Sequence, residues 1–309
     1  MLNYLGKRII NSVIVLWIVM TVTFFLMHAI PGGPFTAEKN LPPAVKANIE
    51  ARYKLNDPLS TQYIDYVDNI LHGDLGPSFK YVGRSVNDII GESFPVSFEL
   101  GMEAIVVSLC FGVPAGVLAA FRRNRWQDRT VNFLTTLGIA VPGFVLAALL
   151  VDVFAMKLGW LPAAMWNDWT NRILPTIALA AMPMAFITRL TRSSMLDVLG
   201  QDYIKTAKAK GLGTGYILFK HALPNALIPV VTYVGPMVAS ILTGSFVIET
   251  IFAIPGLGSY FVTSIYNRDY TVILGVTIFY SAIIILMNML VDIIYPLLDP
   301  RIKLEGGEE

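Results

Sequence analysis

The chain has 309 residues, of which 55% are hydrophobic and only 15% are charged, and its formal net charge is +1. Soluble domains carry about 25% charged residues, so this composition favours a membrane protein. The 23 basic and 22 acidic residues nearly cancel, which leaves no bulk positive field for binding nucleic acid. Abundant apolar residues and a single cysteine exclude an intrinsically disordered chain and a disulfide-stapled secreted domain.

Six apolar stretches are long enough to cross a bilayer, which takes about 20 residues of helix. The first follows Lys7 and Arg8, but its run of about 22 apolar residues exceeds the roughly 7–15 of a signal-peptide core, so we expect it to be retained. The fourth is the shortest and contains Pro175 and Pro183. We therefore predict an all-α integral membrane protein with six transmembrane helices, over about residues 9–30, 98–121, 131–156, 173–187, 226–252 and 272–298.

These helices define a simple domain organisation. Residues 1–95 contain the first helix and a long external segment, 31–95. Residues 96–298 contain the other five helices together with a cytoplasmic loop over 188–225. The remaining residues, 299–309, are predicted to form a cytoplasmic tail.

The distribution of lysine and arginine predicts the orientation, because cytoplasmic loops are enriched in these residues. With the N-terminus in the cytoplasm, the inside segments hold fourteen basic residues and the short outside segments hold three, Lys157, Arg172 and Arg268. The long external segment holds six more, but long segments translocate largely regardless of their charge. Both termini are therefore predicted to be cytoplasmic.

The external segment carries a helical pattern of its own. Asp57 is suited to be an N-cap with Pro58 at the first helical position, and apolar residues then recur at helical spacing up to Gly73. Two roles remain open for this segment: a structural lid over the outer mouth, or a docking surface for an external partner.

The sequence carries no recognisable enzymatic site. There is no G-x-x-x-x-G-K-[S/T] loop for binding nucleotide phosphates, and the glycines near Gly211 lack the spacing of a dinucleotide fingerprint. The three histidines, His28, His72 and His221, and the single Cys110 do not form a ligand cluster for a metal. We therefore expect no catalytic, cofactor-binding or metal-binding residues on this chain.

A few carboxylates fall within the predicted spans, where ionisable groups are expensive and suggest function. They lie near the span ends, which argues against a proton-coupled carrier. Glu99, Asp152 and Asp292 are interpreted as interfacial groups that snorkel or pair. Glu103 and Glu249 are equally suited to face a water-filled vestibule, so we name them as candidate pathway or gate residues.

The cytoplasmic loop between the fourth and fifth helices contains a short, capped helix. Asp202 is a suitable N-cap, the helix is predicted over 203–210, and Gly211 can end it in the left-handed conformation. Docking to a protein and lying on the anionic inner leaflet are equally favoured from these residues alone. The helix face on which small residues would let a partner approach carries Tyr203, Thr206, Ala207 and Lys210.

This loop resembles the EAA loop of ABC-importer permeases. The resemblance lies in residues 202–212 and 220–230, with Gly211 at the glycine position. The usual glutamate is replaced, since its position reads Thr206 followed by Ala207, which resembles the oligopeptide and dipeptide branch. Further motifs similar to that branch occur in the same order: Phe24-Phe25-Leu26 with Ile30-Pro31-Gly32, Gly73-Asp74-Leu75-Gly76-Pro77-Ser78-Phe79, Gly112-Val113-Pro114-Ala115-Gly116-Val117, Gly159-Trp160-Leu161-Pro162, Glu249-Thr250-Ile251-Phe252 with Pro255-Gly256-Leu257-Gly258, Asn267-Arg268-Asp269-Tyr270 and Leu298-Asp299-Pro300-Arg301.

The resemblance implies a type I ABC importer permease fold and a multi-pass position in the inner cell membrane. It also implies a second, related permease subunit, two ATPase subunits that bind ATP and Mg²⁺, and an extracytoplasmic peptide-binding protein. The cytoplasmic helix is then expected to insert into a cleft on an ATPase subunit, with no cofactor on this chain. The residues expected to couple the subunits are Asp202, Tyr203, Ile204, Lys205, Thr206, Ala207, Lys208, Ala209, Lys210 and Gly211.

The resemblance further implies that the transported substrates are oligopeptides. Permeases for dipeptides, nickel chelates and glutathione are similar and remain alternatives. A stand-alone secondary transporter is disfavoured because no persuasive repeat relates the two halves of the chain. An exporter is disfavoured because exporters commonly carry the ATPase on the same chain and need no external receptor.

Overall fold

The computed structural model describes residues 2–31 and 55–298. These residues form helices and connecting turns, with one isolated antiparallel bridge between Pro77 and Ser85. Two stretches, Val151–Lys157 and Ile217–Ala222, have the wider hydrogen bonding of a π-helix. The helices are α1 (Leu2–Ala29), α2 (Leu59–Leu71), α3 (Val86–Phe121), α4 (Trp126–Ala140), α5 (Gly143–Lys157), α6 (Trp169–Leu199), α7 (Asp202–Ala209), α8 (Thr214–Ala226), α9 (Ile228–Gly244), α10 (Phe246–Ile251), α11 (Leu257–Asn267) and α12 (Tyr270–Leu298).

Four of the described helices are individually long and apolar enough to cross a membrane, namely α1, α3, α6 and α12. Two further pairs qualify only when their members are taken together. The pair α4 and α5 is bent by 105°, and the pair α8 and α9 is bent by 48°. Counting each bent pair as one span gives up to six spans.

The packing of α3 against α6 shows that the bent pair α4 and α5 crosses the same layer. Glu99 on α3 pairs with Arg172, 73 residues later, and Ser108 Oγ donates a hydrogen bond to the carbonyl of Ala180, 72 residues later. Because the offset stays nearly constant along the contact, the two helices run parallel. A chain that enters two neighbouring spans in the same direction has to return between them, so α4 and α5 together form a broken span.

The break between α4 and α5 has a local cause. Pro142 disfavours the helical conformation at the residue before it, and Val141 is extended, with φ −87° and ψ 119°. Pro175 and Pro183, in contrast, lie inside α6 without ending it, as membrane helices tolerate when neighbouring groups satisfy the freed backbone. Helix α6 is therefore longer at both ends than the fourth span predicted from hydropathy.

Helix α2 forms in the external segment, although its start differs from the prediction. Pro58 is the N-cap and not the first helical residue, so Asp57 lies outside the helix. The helix packs on α1: the hydroxyl groups of Thr21 and Tyr63 are 2.7 Å apart, and the rings of Phe24 and Tyr66 stack with centroids 5.4 Å apart. The amphipathic helix therefore packs its aromatic side against α1.

The described residues divide between two compact units, and each unit is discontinuous in sequence. Of the described residues, the first unit contains Ser97–Ile254 and 284–298, and the second contains 2–31, 55–96 and Pro255–Ile283. Within the second unit, the helices α1, α2 and α11 are accompanied by the first turns of α3 and α12.

In the second unit, Asp269 joins the segment before α3 to the start of α12. Its carboxylate accepts hydrogen bonds from Ser78 Oγ at 2.5 Å, from the Phe79 backbone amide at 3.1 Å and from the Thr271 hydroxyl at 2.9 Å. Asp269 is fully buried, so these donors replace the water that its carboxylate loses. Two motifs that are far apart in the sequence, 73–79 and 267–270, therefore meet at one carboxylate.

In the first unit, glycines let α3 approach α6 closely. A Cβ atom at Gly112 would lie 3.0 Å from the carbonyl oxygen of Met184, and one at Gly116 would lie 2.6 Å from the carbonyl oxygen of Thr188. Gly138 on α4 likewise leaves room for the side chain of Ala185. Small residues of this kind allow the backbone contact that holds membrane helices together, as the G-x-x-x-G spacing in α3 predicts.

A single methyl group at this contact tests its role. We expect Gly116→Ala to lower stability by about 1–3 kcal/mol, because overpacking forces the backbones apart. Gly91→Ala on the same helix is the matched control, since a Cβ atom there has nothing within 4 Å, and it should be neutral or slightly stabilising. Thermal unfolding of both variants in detergent measures the difference, and equal midpoints would contradict the close-packing interpretation.

Candidate interaction helix and ion-paired cavity

Helix α7 starts one residue earlier than predicted. Gln201 is its N-cap and Asp202 is its first residue, where a carboxylate interacts favourably with the helix dipole. Lys205 Nζ donates a hydrogen bond to Asp202 Oδ1 at 2.8 Å. The prediction that Asp202 caps the helix is therefore wrong, although the residue still stabilises the first turn.

The C-terminal end of α7 is closed by a glycine. Gly211 has φ +76°, its amide donates to the Lys208 carbonyl at 2.9 Å, and the amide of Leu212 donates to the Ala207 carbonyl at 3.3 Å. This pair of hydrogen bonds is the Schellman motif, in which glycine avoids the strain of a left-handed backbone. The predicted left-handed ending at Gly211 is confirmed.

Two side chains of α7 point into the chain itself. Ile204 is 0% exposed and Ala207 is 8% exposed. The predicted partner-facing side of the helix is therefore wrong for Ala207, because α7 lies on an apolar floor built by other helices. The floor residues are Ala120 of α3, Met195 of α6, and Ile217, Ala222 and Ala226 of α8.

The other side chains of the helix and its ending are exposed, and we call them the α7 surface. The hydroxyl of Tyr203 accepts a hydrogen bond from Asn225 Nδ2 at 3.0 Å, which ties the surface to α8. Three lysines and one aspartate give the surface a net charge of +2. The α7 surface consists of Asp202, Tyr203, Lys205, Thr206, Lys208, Ala209, Lys210 and Gly211.

A buried ion pair holds α6 seven residues before its end. Arg192 Nε and Nη2 donate to the two carboxylate oxygens of Asp128 at 2.6 Å and 2.9 Å, which is the strong bidentate arrangement. The Asp128 side chain is only 4% exposed and also accepts hydrogen bonds from Asn132 Nδ2 and the Asn124 amide. This pair was not predicted from the sequence, where the available signal was a lone acidic residue among the arginines of 122–129.

Towards the other end of α6, a cavity of about 750 Å³ lies between this helix and α3. Its volume is in the range of small-molecule sites, about 300–1,000 Å³. Most of the wall is apolar, from Phe98, Met102, Val106, Val107, Trp169, Ile173 and Ile177, and the polar lining residues are Glu99, Glu103, Arg172 and Thr176.

The polar residues of the cavity form one hydrogen-bond network. Arg172 Nη1 donates to Glu99 Oε1 and also, at 3.2 Å, to Glu103 Oε1. Thr176 Oγ1 donates to Glu103 Oε2 at 2.9 Å, and Trp166 Nε1 donates to Glu99 Oε2 at 3.3 Å. The Arg172 guanidinium lies 4.8 Å from the centroid of the Trp166 ring, a cation–π contact. Two carboxylates thus share one guanidinium, which leaves a net negative charge in the cavity.

The two candidate pathway residues have different surroundings. Glu103 lines the cavity, with 32% of its side chain exposed. Glu249 is fully buried in α10, where Ser245 Oγ donates to its Oε1, and it does not line this cavity. Arg172, predicted only as one of the outside charges, and Thr176 join α6 to Glu103.

The remaining carboxylates named from the sequence are Asp152 and Asp292. Asp152 pairs with Lys157 at 2.6 Å and both side chains are more than half exposed, as the interfacial interpretation expects. Asp292 lies in α12, and its side chain and the tail 299–309 are outside the described residues. Over residues 2–31 and 55–298, no three His, Cys, Asp or Glu side chains are grouped so that they could hold a metal ion.

Comparison with known families covers both parts of the chain. Residues 112–304 match the family described as binding-protein-dependent transport system inner membrane component. Residues 1–112 match the N-terminal component of the same kind of system. The chain belongs to this family.

Individual relatives match this permease over nearly its full length. It is 55% identical over 304 residues to a dipeptide transport system permease protein of Bacillus subtilis, covering 98% of this chain and 99% of the relative. It is 48% identical over 305 residues to the oligopeptide transport system permease proteins of Escherichia coli and Haemophilus influenzae, covering 98% of this chain and 100% of each relative.

A solved structure shares the fold of this permease. The MetNI methionine ABC transporter, determined in inward-facing conformations, aligns with a TM-score of 0.58 at 19% sequence identity, over 68% of this chain and 96% of that chain. The predicted type I importer permease fold is confirmed, and so is the multi-pass position in the inner membrane. The family also confirms a transport subunit that is not an enzyme, with ATP hydrolysis on separate ATPase subunits.

The buried and exposed sides of α7 are expected to respond differently to truncation. Ile204→Ala should weaken the seating of α7 by about 2–4 kcal/mol, because it leaves a cavity in the apolar floor. Lys205→Ala removes only an exposed ion pair, worth at most about 1 kcal/mol. Hydrogen exchange of the α7 amides should accelerate in Ile204→Ala and stay near the native rate in Lys205→Ala. Equal exchange rates in the two variants would contradict the buried position of Ile204.

Proposed function

We propose that this permease forms, with a second related permease, the translocation pathway of an ATP-driven importer of peptides. The observation that carries the proposal is similarity over 98% of the chain to permeases named for dipeptide and oligopeptide transport. Oligopeptides are the predicted substrates. Dipeptides are the second candidate, favoured by the 55% identity to a dipeptide permease.

We propose that the α7 surface is the part of the permease that binds an ATPase subunit in the cytoplasm. The surface is exposed and carries a net positive charge, while Ile204 and Ala207 seat the helix on its own chain. These two residues therefore act as positioning residues and not as contacts. ATP and Mg²⁺ bind to the partner ATPase subunits in this proposal, and this chain needs no cofactor.

Coupling then follows from a two-state equilibrium. The permease pair adopts an inward-open and an outward-open arrangement, and closure of the ATPase pair on ATP favours the outward-open one through its contacts with α7. An extracytoplasmic binding protein delivers the peptide to that state. Glu103, in the cavity next to α6, is proposed to line the pathway, whereas the buried Glu249 is proposed to hold the fold of α10.

Reconstitution in liposomes tests the peptide importer as a whole. The permease pair with its ATPase subunits, the binding protein and ATP should accumulate labelled trialanine in the lumen, and dialanine used in parallel distinguishes the two substrate lengths. Omission of the ATPase subunits should abolish accumulation. Transport that persists without them would instead favour a stand-alone secondary transporter.

The left-handed residue of α7 provides a sharper test of coupling. Gly211→Val puts a β-branched side chain at φ +76°, which is strained by at least about 1–2 kcal/mol, and it should abolish peptide uptake while the subunit still inserts. Gly213→Val is the matched control, because Gly213 has φ −63° and open space around a Cβ atom. Peptide-stimulated ATP hydrolysis and uptake measure the effect, and equal activities of the two variants would rule out the proposed role of this helix ending.

A further inference from the structure

The cavity between α3 and α6 has features of a binding site that its structural role does not require. An ion pair that only holds two helices together needs one carboxylate for one guanidinium. Here two carboxylates, Glu99 and Glu103, converge on Arg172, so one negative charge lacks a cationic counterpart among the lining residues. The two carboxylates lie on α3, a membrane-spanning helix, where ionisable groups are rare and suggest function.

We propose that this cavity binds the N-terminal ammonium group of a transported peptide, an inference that rests on the proposed peptide-import function. The net charge of the network is complementary to an ammonium group. Glu99 and Glu103 each retain acceptor capacity, because a carboxylate has about four lone-pair sites and the network uses only some of them. Arg172, Thr176 and Trp166 act as positioning residues that hold both carboxylates towards the cavity.

The apolar wall fits the variable part of the same ligand. Side chains differ from one peptide to the next, while the terminal ammonium group is common to all of them. Met102, Val106 and Ile177 offer contacts without hydrogen-bonding demands, and the flexible methionine adapts to different shapes. The site therefore recognises the invariant end of a peptide and tolerates the rest.

An uptake comparison tests this assignment. Trialanine and N-acetyl-trialanine differ in the charge of the amino terminus, and the native importer should favour the free amine. In Glu103→Gln, that preference should fall about tenfold, the scale on which a hydrogen bond to a charged group contributes, and Glu103→Asp should restore part of it. Asp152→Asn is the matched control, since it also removes a carboxylate charge that is paired with a basic residue, but at a position outside the cavity.

The outcomes of this comparison distinguish failure of the cavity proposal from failure of the proposed peptide-import function. If Glu103→Gln reduces uptake of both peptides by the same factor, the network only holds the two helices together and the proposal is wrong. If the native complex accumulates neither peptide, the proposed peptide-import function itself fails. The affinity of the binding protein for each peptide is measured separately. The ratio of the two uptake rates is then corrected for the ratio of these affinities.

A labelling experiment that needs no binding protein covers the case in which Glu103→Gln fails to assemble. Cys110 is the single cysteine of the chain, so Met102→Cys in a Cys110→Ser background places one thiol in the cavity. In phosphatidylcholine nanodiscs, which carry no net surface charge and no primary lipid amine, a cationic methanethiosulfonate should react about tenfold faster than an anionic one. Trialanine should slow the reaction and N-acetyl-trialanine should not.

The labelling result also separates a peptide from a lipid as the occupant. Protection by added phosphatidylethanolamine but not by trialanine would assign the cavity to a lipid head group and overturn the proposal. Equal protection by the free and the acetylated peptide would show binding through the apolar wall alone, which also overturns it. Val106→Cys, one turn further along α3, serves as the alternative labelling position if Met102→Cys is not produced.

Discussion

The close, parallel contact between α3 and α6 is the constraint on which the first unit depends. Helices in a bilayer gain little from hydrophobic burial against one another, so their association relies on packing and polar contacts. Gly112 and Gly116 allow that packing in the middle of the contact. Because the two helices run parallel, the chain between them has to recross the layer, and the broken span of α4 and α5 follows from this requirement.

Charged contacts secure α6 on either side of the glycine contact. Arg172 pairs with α3 at the cavity, and Arg192 pairs with Asp128 near the start of α4. These arginines are about 20 residues apart on one helix, which corresponds to a rise of about 30 Å, close to the thickness of the hydrocarbon core. Each guanidinium can therefore lie near one interface, and a single helix connects the cavity with the α7 surface.

Hydropathy was sufficient to predict the helical class, and its six predicted spans agree with the structure when each bent pair is counted as one span, because an apolar run of about 20 residues is long enough to cross a bilayer as a helix. It could not predict that α6 continues past Ile187 through Arg189 and Arg192, since polar side chains in the last turns are satisfied by α4. The ending of α7 was predictable because Gly211 has a specific backbone role. The burial of Ala207 and the pairing of Arg172 with Glu103 depend on helix packing, which a local pattern does not contain.

The connection between α6 and α7 consists of Gly200 and Gln201 alone, and two residues span at most about 7 Å. The amide of Gln201 is bound to the carbonyl of Val198, and its carbonyl accepts the amide of Ile204. A connection this short, with both backbone groups of Gln201 hydrogen-bonded, leaves little freedom for α7 to move independently of α6. In the proposed coupling, a movement imposed on α7 by an ATPase subunit would therefore pass to α6 through two residues only, and the stiffness of this connection would set how much of the movement reaches the membrane.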